Sequence, residues 1–220
     1  RIMQLSYNNQ SLLATGCYED NDSGITRFGK EVIKEMNRVG MIIDMSHSAE
    51  ESTLQAIEYS TRPIAITHAN PASFHPAIRN KSDKVLRLLG ESGGMLGVSL
   101  YPFHLKNGSE CSLKDFCDMI YTTAELIGIN HIGIGSDLCQ NWDYSTLEWM
   151  RSGKWASAPD FGEGASDNLS WPNQPTWFKC SLDFNNILEK CSSKYYSVSI
   201  SNYSEMVFFR LNNWLAIYFT

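Results

Sequence analysis

Residues 40–70 read GMIIDMSHSAEESTLQAIEYSTRPIAITHAN, and this stretch decides the fold. It holds two short apolar runs, residues 41–43 and residues 64–66, and both are rich in isoleucine. A histidine follows each run within a few residues, His47 after the first and His68 after the second. Short runs of this composition are typical of buried strands. The stretch therefore predicts two strands that each lead into a histidine.

The residues between the two runs predict a helix over residues 48–59, with acidic residues in its first turn. A strand, a helix and a second strand form the unit that joins parallel neighbours by a right-handed crossover. Both histidines then lie at the same edge of the sheet, the carboxyl ends of the strands, where an α/β barrel builds its active site. We therefore expect the imidazoles of His47 and His68 to converge.

The rest of the chain repeats this alternation. Strands are also predicted at residues 1–6, 95–102 and 131–137, and helices at Arg27–Val39, around residues 85–89 and at residues 112–127. Five strands that alternate with helices predict a parallel sheet with the helices packed outside it.

Five strands do not close a barrel, which needs eight strands and roughly 250 residues. The fold prediction is therefore an α/β protein with about the C-terminal five βα units of a (β/α)8 barrel, preceded by about three units before Arg1. On this interpretation residues 1–220 form a single, N-terminally truncated catalytic-barrel domain. The alternative is an open doubly wound sheet that is complete as given. That fold usually carries a glycine-rich phosphate loop after its first strand, and LSYNNQS at residues 5–11 is not such a loop.

The C-terminal third differs in composition. Residues 138–178 are rich in tryptophan and predict a long functional loop, which walls a substrate pocket, covers the barrel rim or forms a subunit contact. Helices are predicted at about residues 182–190 and 204–218. The segment 192–203 between them is rich in serine and tyrosine and gives no clear prediction.

Composition excludes several kinds of partner. The net charge is −6 and no run is rich in lysine or arginine, so nucleic acid is not expected to bind. No run of 18 apolar residues occurs, so no transmembrane helix is expected.

The six cysteines are scattered without a CxxC motif, which favours a reduced, cytoplasmic protein, although their even number leaves disulfides open. They are Cys17, Cys111, Cys117, Cys139, Cys180 and Cys191.

Three polar residues end predicted strands: His47, His68 and Asp137. Imidazole nitrogen and carboxylate oxygen are ligands that zinc accepts. A bound metal lowers the pKa of its water towards about 7, and a neighbouring carboxylate can accept the proton. Three such groups at equivalent strand ends predict a metal site. The alternative is that each is a polar residue where a strand meets solvent.

Two further charged residues lie close to these positions. Asp44 precedes His47 by three residues, and because side chains alternate along a strand we expect it to have a structural role. Arg79 follows the second strand of the opening stretch. Its guanidinium either clamps a substrate carboxylate through two hydrogen bonds or pairs with Asp83 or solvent.

Five motifs in chain order make the sequence resemble the membrane (renal-type) dipeptidase family of zinc metallopeptidases: GMIIDMSH, RPIAITHAN, RNKSD, GGMLGVSLY and HIGIGSDL. The resemblance covers most of the chain, from QLSYNNQS to LNNWL. It implies an amidohydrolase-like (β/α)8 barrel with two zinc ions at the carboxyl ends of the strands. It also implies hydrolysis of dipeptides by a metal-activated hydroxide, and a homodimer, as many members form.

The resemblance also implies a role for each matching residue. His47 and His68 match the two histidines that bind the second zinc. Asp137 matches the aspartate on the first zinc, which also handles the proton of the bridging water. Arg79 matches the arginine that binds the substrate carboxylate. Tyr7 stands where a histidine stabilises the tetrahedral intermediate, and its phenol can donate the equivalent hydrogen bond.

The remaining ligands of the family, a His-x-Asp pair and a bridging glutamate, are expected upstream of Arg1. The 220 residues alone are therefore expected to hold an incomplete site. The family's GSDFDG is GSDLCQ here, which alters the predicted pocket wall beside Asp137. The functional prediction is a zinc-dependent dipeptidase. The alternatives are another amidohydrolase-type activity, such as that of a lactonase or deacylase, and a non-catalytic fragment.

Overall fold

A computed structural model describes residues 1–138, 145 and 172–195, with side chains up to Cys191. Its strands are β1 (Ile2–Gln4), β2 (Ile42–Asp44), β3 (Ala65–Ala69), β4 (Met95–Ser99) and β5 (Ile132–Gly135). Its helices are α1 (Arg27–Val39), α2 (Glu50–Tyr59), α3 (Asp83–Glu91), α4 (Leu113–Ile127) and α5 (Phe184–Tyr195).

The strands and the first four helices lie where the sequence predicts them, and α5 extends the predicted helix at 182–190 into the serine-rich segment. The predicted helix at 204–218, Cys139 and most of the tryptophan-rich loop lie outside the described residues. Within the described part of the chain, no helix is both long and apolar enough to cross a bilayer.

The five strands form one parallel sheet in the order β1-β2-β3-β4-β5. Each strand thus pairs with its neighbour in the chain, and the order never reverses. A doubly wound sheet requires such a reversal, so that alternative is wrong for the described sheet. The consecutive parallel order confirms the prediction of five βα units arranged as in a (β/α)8 barrel.

The capping residues of α1 set the point at which β2 begins. The side chain of Thr26 accepts a hydrogen bond from the backbone N–H of Gly29 and starts α1. Gly40 ends the helix with a φ of 70°, a left-handed conformation that glycine adopts without steric cost. The chain therefore turns directly from α1 into β2, which begins at Ile42.

Strand β3 contains a bulge at Thr67 and His68. Ile66 pairs with Leu96, but Ala69 pairs with Val98, so β3 has one residue more than β4 over this interval. A bulge bends its strand and re-aims the side chains within it.

Two glycines of the neighbouring strands accommodate this bend. A β-carbon on Gly97 of β4 or on Gly135 of β5 would overlap the carbonyl oxygen of Thr67. The bulge therefore requires glycine at both positions.

We predict that Gly135→Ala lowers the free energy of unfolding by about 3 kcal/mol, because the new methyl group meets backbone that cannot move aside. Gly133→Ala is the matched control in the same strand. A β-carbon at Gly133 would have the Met95 sulfur as its nearest neighbour, at 3.5 Å. We expect that variant to change stability by less than about 1 kcal/mol. Urea denaturation of both variants measures the difference, and equal stabilities would contradict the tight packing against Thr67.

The cysteines correct one expectation from the sequence. Cys117 of α4 and Cys191 of α5 form a disulfide with their Cα atoms 5.4 Å apart, so the protein is not fully reduced. The two residues are 74 positions apart, and only the packing of α5 against α4 brings them together. Pairing of this kind cannot be deduced from cysteine spacing.

Candidate metal centre

The imidazoles of His47 and His68 converge at the carboxyl edge of the sheet, as the sequence predicts. Their Nε2 atoms lie 2.9 Å apart, and the ring planes meet at 65°. His47 follows β2 and is buried, while His68 lies in the β3 bulge and is partly buried. The crossover through α2 brings the two residues to one edge, and the bulge turns His68 towards His47.

The Nδ1 atom of His47 carries its proton. Nδ1 lies 2.6 Å from the Oδ1 atom of Asn8, and because an amide oxygen only accepts hydrogen bonds, Nδ1 must donate. Asn8 has a left-handed backbone with a φ of 53°, a conformation that asparagine tolerates better than most residues. This contact fixes the tautomer that leaves Nε2 of His47 without a proton.

The Nδ1 atom of His68 also carries its proton. It lies 2.8 Å from the Thr67 hydroxyl oxygen. That hydroxyl donates its own hydrogen to the Oδ2 atom of Asp44, at 2.7 Å. The Thr67 oxygen can therefore only accept from His68, which makes Nδ1 the donor.

Two bare Nε2 atoms thus face each other across 2.9 Å. Their lone pairs repel unless a cation lies between them. Burial, followed by the positive charge of Arg79, holds the pKa of His47 well below its ordinary value. Burial also lowers the pKa of His68, against the opposing effect of the Asp137 carboxylate. A shared proton is therefore disfavoured, and two convergent neutral imidazoles are a donor pair that suits zinc.

Asp137 follows β5 and has a left-handed backbone with a φ of 52°. Its carboxylate is close enough to raise the pKa of His68. Within residues 1–138 and 172–191, no third histidine, cysteine, aspartate or glutamate joins His47 and His68 in a group that could hold a metal ion. The structure therefore places Asp137 near His68, at the same edge of the sheet as the histidine pair.

Arg79 is buried near the histidine pair. Its side chain is 6% exposed, and its Nε atom donates to the carbonyl oxygen of Ser46 at 3.3 Å. The Nη2 atom is buried and has no hydrogen-bond partner within the described part of the chain. A buried N–H donor without an acceptor costs about 1–3 kcal/mol, so this nitrogen is suited to an anionic ligand.

Lys81 adds a second positive charge that the sequence did not single out. Its Nζ atom donates to the carbonyl oxygen of Ser48 at 2.6 Å, and burial lowers the pKa of its ammonium group to about 8. Arg79 and Lys81 thus bind the carbonyl oxygens on either side of His47. Both cations hold the loop after β3 against the turn after β2.

Tyr7 stacks on His47, with ring centroids 4.0 Å apart and planes inclined by 24°. Its side chain is 47% exposed, so it lies at the surface above the imidazole. Sequence reasoning placed Tyr7 near the site only through the family resemblance, because it follows β1 by three residues and has no strand-end signal of its own.

Asp44 has the structural role expected of it. Its carboxylate is 2% exposed and accepts five hydrogen bonds, from Gln4 Nε2, Ser46 N, Ser46 Oγ, Thr67 N and Thr67 Oγ1. Sequence reasoning missed Asn8 and Thr67, which orient the two imidazoles. Only Thr67 could have been selected from the sequence, because it lies next to His68.

His104 is a further residue that the sequence gave no reason to select. It is 2% exposed, and its Nδ1 atom lies 2.9 Å from the Ser99 hydroxyl oxygen. Burial, followed by the charge of Arg79, holds its pKa well below the ordinary value. His104 therefore belongs to the same buried, electropositive region as the histidine pair.

Comparison with known proteins identifies the family to which these features correspond. The sequence model of the family described as membrane dipeptidase (peptidase family M19) matches residues 1–157. Dipeptidase aclJ of Aspergillus oryzae is 33% identical over 121 residues, which cover 54% of this chain and 29% of that protein. Dipeptidase 3 of Rattus norvegicus is 35% identical over 115 residues, which cover 52% of this chain and 24% of that protein. The match thus spans less than a third of each of these relatives.

Solved structures share the fold. An amidohydrolase from Pseudomonas aeruginosa superposes with a TM-score of 0.83 at 28% identity, over 96% of this chain and 62% of that one. A metallopeptidase from Rhodobacter sphaeroides, bound to a phosphinate mimic of the dipeptide L-Ala-D-Ala, gives a TM-score of 0.69 at 19% identity. That alignment covers 94% of this chain and 55% of that one and supports the fold alone.

The low pKa of His104 predicts a pH dependence of stability. The folded protein keeps His104 neutral, whereas the unfolded chain takes up its proton near pH 6.5. The unfolded state therefore binds more protons, and stability falls as the pH drops below about 6.5. In His104→Gln this slope should be smaller by up to about 1.4 kcal/mol per pH unit. Urea unfolding of both metal-free proteins between pH 7 and 5 measures it, and identical slopes would mean that His104 has the same pKa in the folded protein as in the unfolded chain.

Proposed function

The chain belongs to the membrane dipeptidase family, and from that premise we propose that the protein is a zinc-dependent dipeptidase that hydrolyses the peptide bond of dipeptides. One observation carries the proposal: the bare Nε2 atoms of His47 and His68 face each other 2.9 Å apart. The proposal includes a single catalytic-barrel domain over residues 1–220.

His47 and His68 would hold one zinc ion through Nε2. Zinc, when bound, supplies a Lewis acid that polarises water and the scissile carbonyl group. Asn8 and Thr67 keep the two Nδ1 atoms protonated, so that both Nε2 lone pairs stay directed at the ion. The resemblance to the family implies further ligands, and these would complete a site for two ions.

Arg79 would bind the carboxylate of the dipeptide. Its Nη2 atom is buried without an acceptor, and a substrate carboxylate would supply one. The contact of Nε with the carbonyl oxygen of Ser46 fixes the plane of the guanidinium. Substrate binding would therefore relieve an unsatisfied donor in this region.

Asp137 would move the proton. Its carboxylate lies near His68, as its effect on the pKa of that residue indicates. It would take a proton from the attacking water and deliver it to the nitrogen of the leaving amine. Tyr7, stacked on His47, would donate a hydrogen bond from its phenol to the oxygen on which negative charge develops.

The second candidate is another amidohydrolase-type activity, that of a lactonase or an N-acyl amino acid deacylase. The family's GSDFDG is GSDLCQ in this sequence, and this difference beside Asp137 is the reason to test other substrates, although the similarity to known proteins supports a dipeptidase. The zinc-loaded full-length protein should hydrolyse dipeptides faster than lactones or N-acyl amino acids. The reverse order would favour the second candidate.

We predict that Arg79→Met raises KM for a dipeptide by about tenfold to a hundredfold, because a charge-assisted hydrogen bond to the carboxylate is lost. The same variant should hardly affect the dipeptide amide, which has no carboxylate. Arg87→Met, which removes an exposed arginine on α3, is the matched control and should leave both substrates unaffected. Steady-state kinetics of the full-length protein with both substrates measures these effects. An equal change for acid and amide would contradict the role of Arg79.

A further inference from the structure

Thr67 makes more hydrogen bonds than a strand residue needs for pairing within a sheet. Its backbone N–H and its hydroxyl both donate to the carboxylate of Asp44, at 3.1 Å and 2.7 Å. Its carbonyl oxygen lies against Gly97 and Gly135. The next residue is anchored as well, since the N–H of His68 donates to the Ser46 hydroxyl, which in turn donates to Asp44.

We propose that Thr67 is a positioning residue for the metal centre: its hydroxyl, oriented by Asp44, keeps the proton of His68 on Nδ1 and leaves Nε2 as the metal donor. The proposal deepens the proposed function and rests on it for the metal. The tautomer itself is a property of the metal-free protein. It can therefore be tested whether or not the protein proves to be a dipeptidase.

The direction of the relay follows from the acceptor at its end. A carboxylate only accepts hydrogen bonds, so the Thr67 hydroxyl must donate to Asp44 and accept from His68. A hydroxyl alone could rotate and donate to Nδ1, which would put the imidazole proton on Nε2. That proton would then point at the bare Nε2 of His47 and occupy the position of the metal.

Asp44→Asn should therefore reverse the relay. Oδ1 of Asp44 accepts from the backbone N–H groups of Ser46 and Thr67, so the amide oxygen of asparagine must take that place. The amide NH2 then faces the Thr67 oxygen and donates to it. The Thr67 hydroxyl then has two acceptors, Nδ1 of His68 at 2.8 Å and the Ser46 hydroxyl oxygen at 3.1 Å. We expect it to donate to the nearer one, Nδ1, so that the imidazole proton moves to Nε2.

The experiment is long-range 1H–15N correlation NMR of the histidine rings in the metal-free chain, which distinguishes protonated from bare ring nitrogens. The chain has five histidines, and a His68→Gln variant assigns the signals of that ring. We expect His68 to carry its proton on Nδ1 in the unmodified chain and in Thr67→Ser. We expect it on Nε2 in Asp44→Asn, and a mixture of both tautomers in Thr67→Val.

Thr123→Val is the matched control. Thr123 is buried, and its hydroxyl donates to the carbonyl oxygen of Met119 within α4, at 2.6 Å. This variant loses a hydrogen-bonded hydroxyl as Thr67→Val does, but it should leave the His68 tautomer unchanged. If Thr67→Val does not fold, the contrast between Asp44→Asn and Thr67→Ser gives the same test.

Zinc titration of the same proteins gives the second readout. We expect zinc affinity to fall by at least tenfold in Thr67→Val and Asp44→Asn, and to be retained in Thr67→Ser. An unchanged His68 tautomer in both Asp44→Asn and Thr67→Val would overturn the proposal. A changed tautomer in a full-length protein that binds no zinc would uphold the relay and overturn the proposed function instead.

Discussion

The buried carboxylate of Asp44 is the contact on which the rest of the site depends. It joins the side chain of Gln4 on β1, the turn after β2 and the bulge of β3 through five hydrogen bonds. A buried carboxylate is costly unless its acceptor positions are filled, and here five donors fill them. The same bonds that satisfy Asp44 fix the backbone and the hydroxyl of Thr67, and through them the ring of His68.

The site is thus built from two separate supports that meet at one point. Asn8, in a left-handed turn after β1, orients His47. Thr67 orients His68 from within the bulge. Each support keeps the proton of its imidazole on Nδ1. Because both do so, the two Nε2 atoms that face each other are both unprotonated. Arg79 and Lys81 then surround the pair with positive charge, which favours neutral imidazoles and an anionic ligand nearby.

The sequence predicts the frame of this site well. Alternating apolar runs and amphipathic helices are sufficient to place His47 and His68 at one edge of a parallel sheet, because the crossover rule fixes which strand ends meet. The sequence cannot predict the bulge, since the extra residue of β3 shows only in its register against β4. It also cannot predict that Asn8 faces His47, or that Cys117 pairs with Cys191, because both contacts arise from packing between distant segments.

X-ray absorption spectroscopy of the chain with one equivalent of zinc tests the central claim most directly, because it reports the atoms bound to the metal. The account predicts two imidazole nitrogens at about 2.0–2.1 Å from zinc, and one in the His68→Gln variant. Fewer than two imidazoles in the unmodified chain, or no change in the variant, would contradict the claim that His47 and His68 hold one metal ion between their Nε2 atoms.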